Sequence, residues 1–164
     1  MQAIHDVDVL LLLATMLAAK RKPAEMPEIV AAIDLLQNNV PAAPKLAEAF
    51  GRLAGYGLLR GDNGGYALTA AAEAIVAKLP KNAETAERLF IIRDRLSDYR
   101  SQGEHAPLVV GEAEVTAAIA AHRAAAASTA KNLLVPKPKP EGDQQRPGQR
   151  QRKPMPAKKR KVRA

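Results

Sequence analysis

The chain has 164 residues and a formal net charge of +8, and aromatic side chains make up only 3% of it. This length allows one domain with an appendage, and the 47% of apolar residues, mainly Ala, Leu, Ile and Val, are enough for an aliphatic core. Cysteine is absent, which excludes disulfides, thiolate metal sites and cysteine nucleophiles.

The N-terminal segment predicts a first helix from Ile4 to Lys20, with a wide apolar stripe. The run Lys20-Arg21-Lys22-Pro23 ends it and places cations at its C-terminal dipole end. Its apolar part is too short to span a bilayer, and Asp6 and Asp8 stand where a signal peptide carries positive charge. We therefore expect a buried helix in a cytoplasmic protein that has no membrane partner.

Two further helices are predicted from apolar residues at i, i+4 and i+7. The second runs from Pro27 to Gln37, and the third begins between Pro41 and Pro44, where proline is tolerated in a first turn. The inward positions on these helices are Ile29, Ile33, Leu36, Leu46, Phe50 and Leu53.

A short hairpin is predicted directly after the third helix. Gly57 suits the left-handed residue that ends a helix. Leu58-Leu59 and Tyr66-Ala67-Leu68 flank the glycine-rich cluster Gly61 to Gly65, which can take the positive φ angles of a tight turn. Thr69 then caps a fourth helix that ends before Pro80.

Two more helices are predicted after Pro80. Asn82 caps the fifth helix, which runs through Arg100. An Ala-rich sixth helix runs from Gly111 to Asn132. The apolar stripe of the fifth helix consists of Leu89, Ile92, Leu96 and Tyr99.

The segment 7–79, with its Leu68-Thr69 pair before the helix that follows the hairpin, resembles the winged helix-turn-helix modules of bacterial regulators, loosely the MarR-like and PadR-like groups. The resemblance implies a mainly α fold with a small β-hairpin wing over residues 1–80. It also implies DNA binding, and it makes the helical extension over residues 81–132 a candidate for homodimerisation.

The third helix differs from that family in the residues at its start, where base contacts are usually made. Its first turns offer mainly alanine, with Lys45 and Glu48 as the charged residues, although base edges and phosphates are usually met by Ser, Thr, Gln or Arg. Residues 24–69 contain three cations and five acids, which gives this part a net charge of −2. The candidate DNA contacts in this part are Lys45, Arg52, Arg60 and Asn63, with solvated surface charge as the alternative for the three cations.

The positive charge lies instead in the C-terminal segment. Residues 136–164 carry eleven Lys and Arg against two acids, which leaves residues 1–135 with fourteen cations and fifteen acids. Half of the twelve prolines also fall there, so residues 133–164 are predicted to be a disordered basic tail. Its candidate phosphate contacts are Arg150, Arg152, Lys153, Lys158, Lys159, Arg160, Lys161 and Arg163.

No catalytic or cofactor motif is found in the sequence. His5, His105 and His122 are too scattered to predict a metal site, and neither a phosphate loop nor a nucleophile elbow is present. We therefore expect a protein that is not an enzyme and needs no cofactor.

Two functions remain open. In the first, the chain binds DNA as a transcriptional regulator or an architectural protein, in outline similar to linker histones, and the basic tail supplies most of the affinity through non-specific phosphate contacts, with RNA as a further partner. In the second, the winged fold is a protein-interaction module: the fifth and sixth helices bind a second copy or another protein, with the stripe of the fifth helix as the face to test, and the basic tail serves only for solubility or weak contact with RNA. The segment PAKKRKV at 156–162 resembles a nuclear-import signal, but basic clusters are common in nucleic-acid-binding tails, which favours a nucleoid-associated cytoplasmic protein.

Overall fold

The computed structural model describes residues 3–134, which form six helices and one antiparallel pair of strands. The helices are α1 (Asp6–Ala18), α2 (Met26–Gln37), α3 (Ala43–Gly55), α4 (Ala70–Val76), α5 (Thr85–Asp98) and α6 (Glu112–Leu134). The strands are β1 (Leu59–Asp62) and β2 (Gly65–Leu68). A mainly helical fold with a small hairpin is thus confirmed, whereas the predicted basic tail lies outside the described residues from 135 onward.

Several helix ends follow the local sequence. At the start of α1 the His5 backbone N–H donates to the Asp8 carboxylate over 3.1 Å. Thr69 caps α4 as predicted, because its hydroxyl oxygen accepts from the Ala72 N–H over 3.4 Å. Asn82 does not cap α5, however, because residues 81–82 form a turn and the helix begins only after Glu84.

The hairpin is closed by a two-residue turn at Asn63 and Gly64, whose φ angles are 48° and 81°. Positive φ at both positions is the geometry that an Asn-Gly pair favours between antiparallel strands. Arg60 pairs with Ala67 in the register of the two strands. Ala24, in the connection between α1 and α2, adds an isolated antiparallel bridge to Tyr66, so this connection is tied to the hairpin by two backbone hydrogen bonds of 2.8 and 2.9 Å.

The core is built around α1. Its residues from Val9 to Ala14 are at most 2% exposed, and the helix contacts α2, α3, α4, α5 and β2. A helix that is apolar all round is one that is covered on all sides, which explains why its stripe is so wide. From α3 and β2, Phe50 and Tyr66 join this core with their ring centroids 4.8 Å apart.

The two halves of α6 differ in their surroundings. In the first half Val115, Ala118 and Ile119 are buried, and the helix as a whole contacts α2 and α3. Beyond the first half every side chain from Arg123 to Thr129 is exposed. No helix within residues 3–134 is long and apolar enough to cross a membrane.

Candidate nucleic-acid interface

The solvent-facing ridge of α3 carries one cation and one acid, so its net charge is zero. Its exposed residues are Pro44, Lys45, Glu48, Gly51 and Gly55. Lys45 therefore lies one turn from an acid of opposite sign, and two of the five positions have no side chain. As a surface for reading bases or holding phosphates, this ridge offers a single exposed cation.

The second predicted cation of α3, Arg52, is held inside the fold. Its Nη2 lies 2.7 Å from Oδ1 of Asp8, and its Nε donates to both oxygens of that carboxylate over 3.2 Å. Asp8 is 2% exposed, and the Arg52 side chain is 25% exposed, with Glu48 as a further partner at 3.5 Å. The hydrogen bonds that Arg52 donates to Asp8 are the largest cause of the raised pKa of Arg52. This guanidinium thus joins α3 to α1, which is a structural role.

Arg60 and Asn63 lie on the hairpin and are both exposed. Asn63 stands at the tip of the turn, where its positive φ is required. Arg60 and Gly61 are neighbours on β1, so the side-chain directions at these two positions point to opposite faces of the hairpin. These two predicted residues keep the exposure that a DNA contact needs.

The segment between α5 and α6 approaches the Gly61 face of the hairpin. A Cβ added at Gly61 would lie 3.1 Å from Cδ1 of Leu108, and one added at Gly57 would overlap the ring of His105. On α3, the Gly51 position is 4.0 Å from the Leu108 carbonyl oxygen. The sequence predicts a loop from Ser101 to Pro107 and a short extended piece from Leu108 to Val110, in which the structure forms no strand. The position of this segment beside the three glycines depends on the fold.

The other face of the hairpin borders an open concavity of about 470 Å³. Four cations surround it, namely Lys20, Arg21, Lys22 and Arg60, and we call this surface the basic concavity. Its floor includes Met16, Leu68 and Val76, while Asp62 and Glu73 also line it. From the sequence the first three cations are predicted to end the first helix and to lie at its C-terminal dipole end, whereas their proximity to Arg60 depends on the fold.

One of these cations also stabilises the start of α2. Nζ of Lys22 lies 3.2 Å from Glu28, whose carboxylate accepts from the Glu25 backbone N–H over 2.9 Å. Two interactions lower the pKa of Glu28. The backbone hydrogen bond is the larger cause, and the contact with Lys22 is the second. Lys20, Arg21 and Arg60 are exposed at the border of the concavity.

The four residues of the predicted dimer face on α5 differ in their burial. Ile92 is 0% and Leu96 is 6% exposed, since both pack into the core of this chain. Leu89 and Tyr99 are partly buried, and the Tyr99 hydroxyl donates to the Tyr56 carbonyl over 2.9 Å. Ile92 and Leu96 are therefore not available as a surface in this fold, and the large exposed apolar side chain of α5 is Phe90.

Within residues 3–134 no group of three or more His, Cys, Asp and Glu side chains is placed to hold a metal ion. The eight cations predicted to bind phosphates between Arg150 and Arg163 lie outside the described residues. Comparison with protein-family models, with curated proteins and with solved structures found no match to this chain.

Proposed function

We propose that this chain is a DNA-binding protein of the winged-helix class whose affinity comes mainly from phosphate contacts outside α3. The order of its elements supports the proposal. A first helix, a bridging residue at Ala24, two helices and an antiparallel hairpin succeed each other as in a winged helix-turn-helix. This order is the observation that carries the proposal.

The distribution of charge supports a phosphate-dominated mode of binding. Eleven of the 25 cations fall in residues 136–164, where only two acids accompany them, and the remainder of the chain is close to neutral. Phosphate contacts position a protein on a duplex, whereas sequence is read by side chains at base edges. With one exposed cation on the ridge of α3, binding should be strongly salt-dependent and weakly selective for sequence. RNA is a second polyanion of the same chemistry.

Fluorescence anisotropy with a labelled mixed-sequence duplex tests this proposal across a range of salt concentrations. The full chain is compared with a chain that ends at Val135 and with a full-length variant in which the eight cations from Arg150 to Arg163 are replaced by Gln. Both altered chains should lose most of the affinity and show a flatter dependence of log K on log salt. Circular dichroism verifies that both remain folded.

Two results would contradict the proposal. If the chain ending at Val135 keeps most of the affinity, the tail is not the main source of binding. If no form binds the duplex at low salt, DNA is not the partner.

A protein-interaction module is the second candidate, and it is favoured by apolar and alanine surface that the fold leaves open. Phe90 is 72% exposed, and α6 projects a fully exposed segment from Arg123 to Thr129. Sedimentation analysis over a range of protein concentrations tests self-association. Association that is lost in Phe90→Ser, together with no DNA binding, would favour this second function.

A further inference from the structure

We propose that nucleic-acid phosphates are bound in the basic concavity, on the Arg60 face of the hairpin, rather than along α3. This inference rests on the proposed function and assigns the surface by which the folded part takes part in it. It reverses the expectation drawn from the winged-helix resemblance, in which the third helix meets the duplex.

The surface of α3 is unsuited to a polyanion. Lys45 is its single exposed cation, and the Glu48 carboxylate on the same ridge repels phosphates. Arg52 would have to leave a bidentate contact with the buried Asp8 in order to reach a ligand. Such a step would leave the Asp8 charge buried without its partner, which is strongly unfavourable.

A segment from another part of the chain also lies beside α3 and the hairpin. Leu108 reaches both Gly51 of α3 and Gly61 of β1, and His105 lies over Gly57 between them. His105 is itself held by a 3.1 Å contact with the Ser101 hydroxyl. A duplex that approached along α3 and the hairpin together would meet this segment, which carries no Lys or Arg from Ser101 to Val110.

The basic concavity offers the opposite conditions. Its cations come from two elements, the α1–α2 connection and β1, and they surround one open depression with a net excess of positive charge. Several cations around one depression can contact successive phosphates of a backbone, whereas a single Lys cannot. Because the Ala24–Tyr66 bridge fixes the connection to β2, the two groups of cations keep their relative position. Such a fixed arrangement lowers the entropy lost on binding.

The test compares two full-length variants that remove the same amount of charge. One carries Lys20→Gln, Arg21→Gln and Arg60→Gln in the basic concavity, and Lys22 is kept because it pairs with Glu28. The control carries Lys45→Gln, Lys81→Gln and Arg123→Gln, three exposed positions outside the concavity, one of them on α3. Each variant lowers the net charge by three.

Duplex binding is measured by anisotropy at several salt concentrations. The concavity variant should bind at least about tenfold more weakly at low salt and reduce the salt slope by about 2–3, since each phosphate contact contributes roughly 0.9 to it. The control should lose less than about threefold in affinity, as expected for the loss of long-range attraction alone. Equal losses in the two variants, or a larger loss in the control, would overturn the assignment while leaving DNA binding intact. Failure of the unaltered chain to bind would overturn both proposals.

A footprint on the unaltered full chain provides an independent measurement. Lysines are acetylated with and without the mixed-sequence duplex, and the extent of modification at each position is read by mass spectrometry. Lys20 and Lys22 should be protected by the duplex, while Lys45 should react as it does in the free protein. Protection of Lys45 with unchanged reactivity of Lys20 and Lys22 would place the duplex on α3 and refute the inference.

Discussion

Replacing Asp8 by Ala should destabilise the fold far more than removing an ordinary surface acid. The carboxylate of Asp8 has two roles, since it accepts the His5 backbone N–H at the start of α1 and binds Arg52 of α3 through both oxygens. Because Asp8 is only 2% exposed, its carboxylate is shielded from water and is satisfied by these protein groups. Asp8→Ala therefore removes a helix cap and leaves a guanidinium three-quarters buried.

The size of the effect follows from these two losses. Removing one partner of a buried ion pair costs about 3–5 kcal/mol, and the lower part of this range applies because Arg52 remains 25% exposed and keeps Glu48. Loss of an N-terminal cap adds about 1 kcal/mol. We expect the free energy of unfolding to fall by about 4 kcal/mol, which corresponds to a decrease in Tm of roughly 8–16 °C for a chain of this size.

Urea denaturation followed by circular dichroism measures this change. Asp6→Ala is the matched control, because Asp6 is an exposed acid on the same helix whose pair with Arg93 lies at the surface; it should change stability by less than about 1 kcal/mol. A double-mutant cycle of Asp8→Ala with Arg52→Gln should give a coupling free energy of about 2 kcal/mol. Equal effects of Asp8→Ala and Asp6→Ala, or a coupling near zero, would refute the structural role of Arg52. Duplex affinity should be unchanged in Arg52→Gln at temperatures where that variant is folded.

Three further predictions concern the loop, the hairpin and α5. Gly57→Ala should lower the free energy of unfolding by about 2 kcal/mol or more, because Gly57 has a φ of +71° and its Cβ would overlap His105; adding His105→Ala should restore only the part due to overlap, and full recovery in urea denaturation would contradict the backbone argument. Burial, followed by a 2.9 Å hydrogen bond from its hydroxyl to Glu114, raises the pKa of Tyr66 to about 12, above its unfolded value of about 10. The stability from the neutral phenol is therefore present below pH 10 and lost as the pH rises toward 12, and a pH series should show this part of the loss absent in Tyr66→Phe. Ile92→Ala should cost about 2–5 kcal/mol at every protein concentration, whereas Phe90→Ser should cost less than about 0.5 kcal/mol; a Tm that rises with protein concentration would instead indicate a dimer.

Local sequence was sufficient for most of the secondary structure. The spacing of apolar residues predicted α1, α2, α3 and α5 to within a few residues, since helical periodicity depends only on neighbours along the chain. The Thr69 cap predicted α4, and the alanine content predicted α6. The cluster Gly61 to Gly65 predicted the turn, and Gly57 predicted the end of α3, through backbone conformations that few other residues adopt; within the cluster the structure places the positive φ angles at Asn63 and Gly64. Asn82 failed as a cap because the residues after Pro80 form their own turn, which side-chain preference alone does not reveal.

The candidate site could be predicted only in part. Lys45, Arg60 and Asn63 are exposed as expected, because charged and turn residues are usually at the surface. Arg52 has the same appearance in the sequence, yet its partner Asp8 lies 44 residues earlier in the chain. No periodic pattern links two positions so far apart.

The sequence by itself determined the helices, the hairpin and the division of charge between a nearly neutral N-terminal part and a basic C-terminal segment, because these depend on composition and on neighbouring residues. The tertiary structure decided which charges are available. It joined Arg52 to Asp8, placed Lys20–Lys22 beside Arg60 and seated Leu108 against α3 and the hairpin. It also buried Ile92 and Leu96, since an apolar stripe has the same spacing whether it meets its own core or a partner.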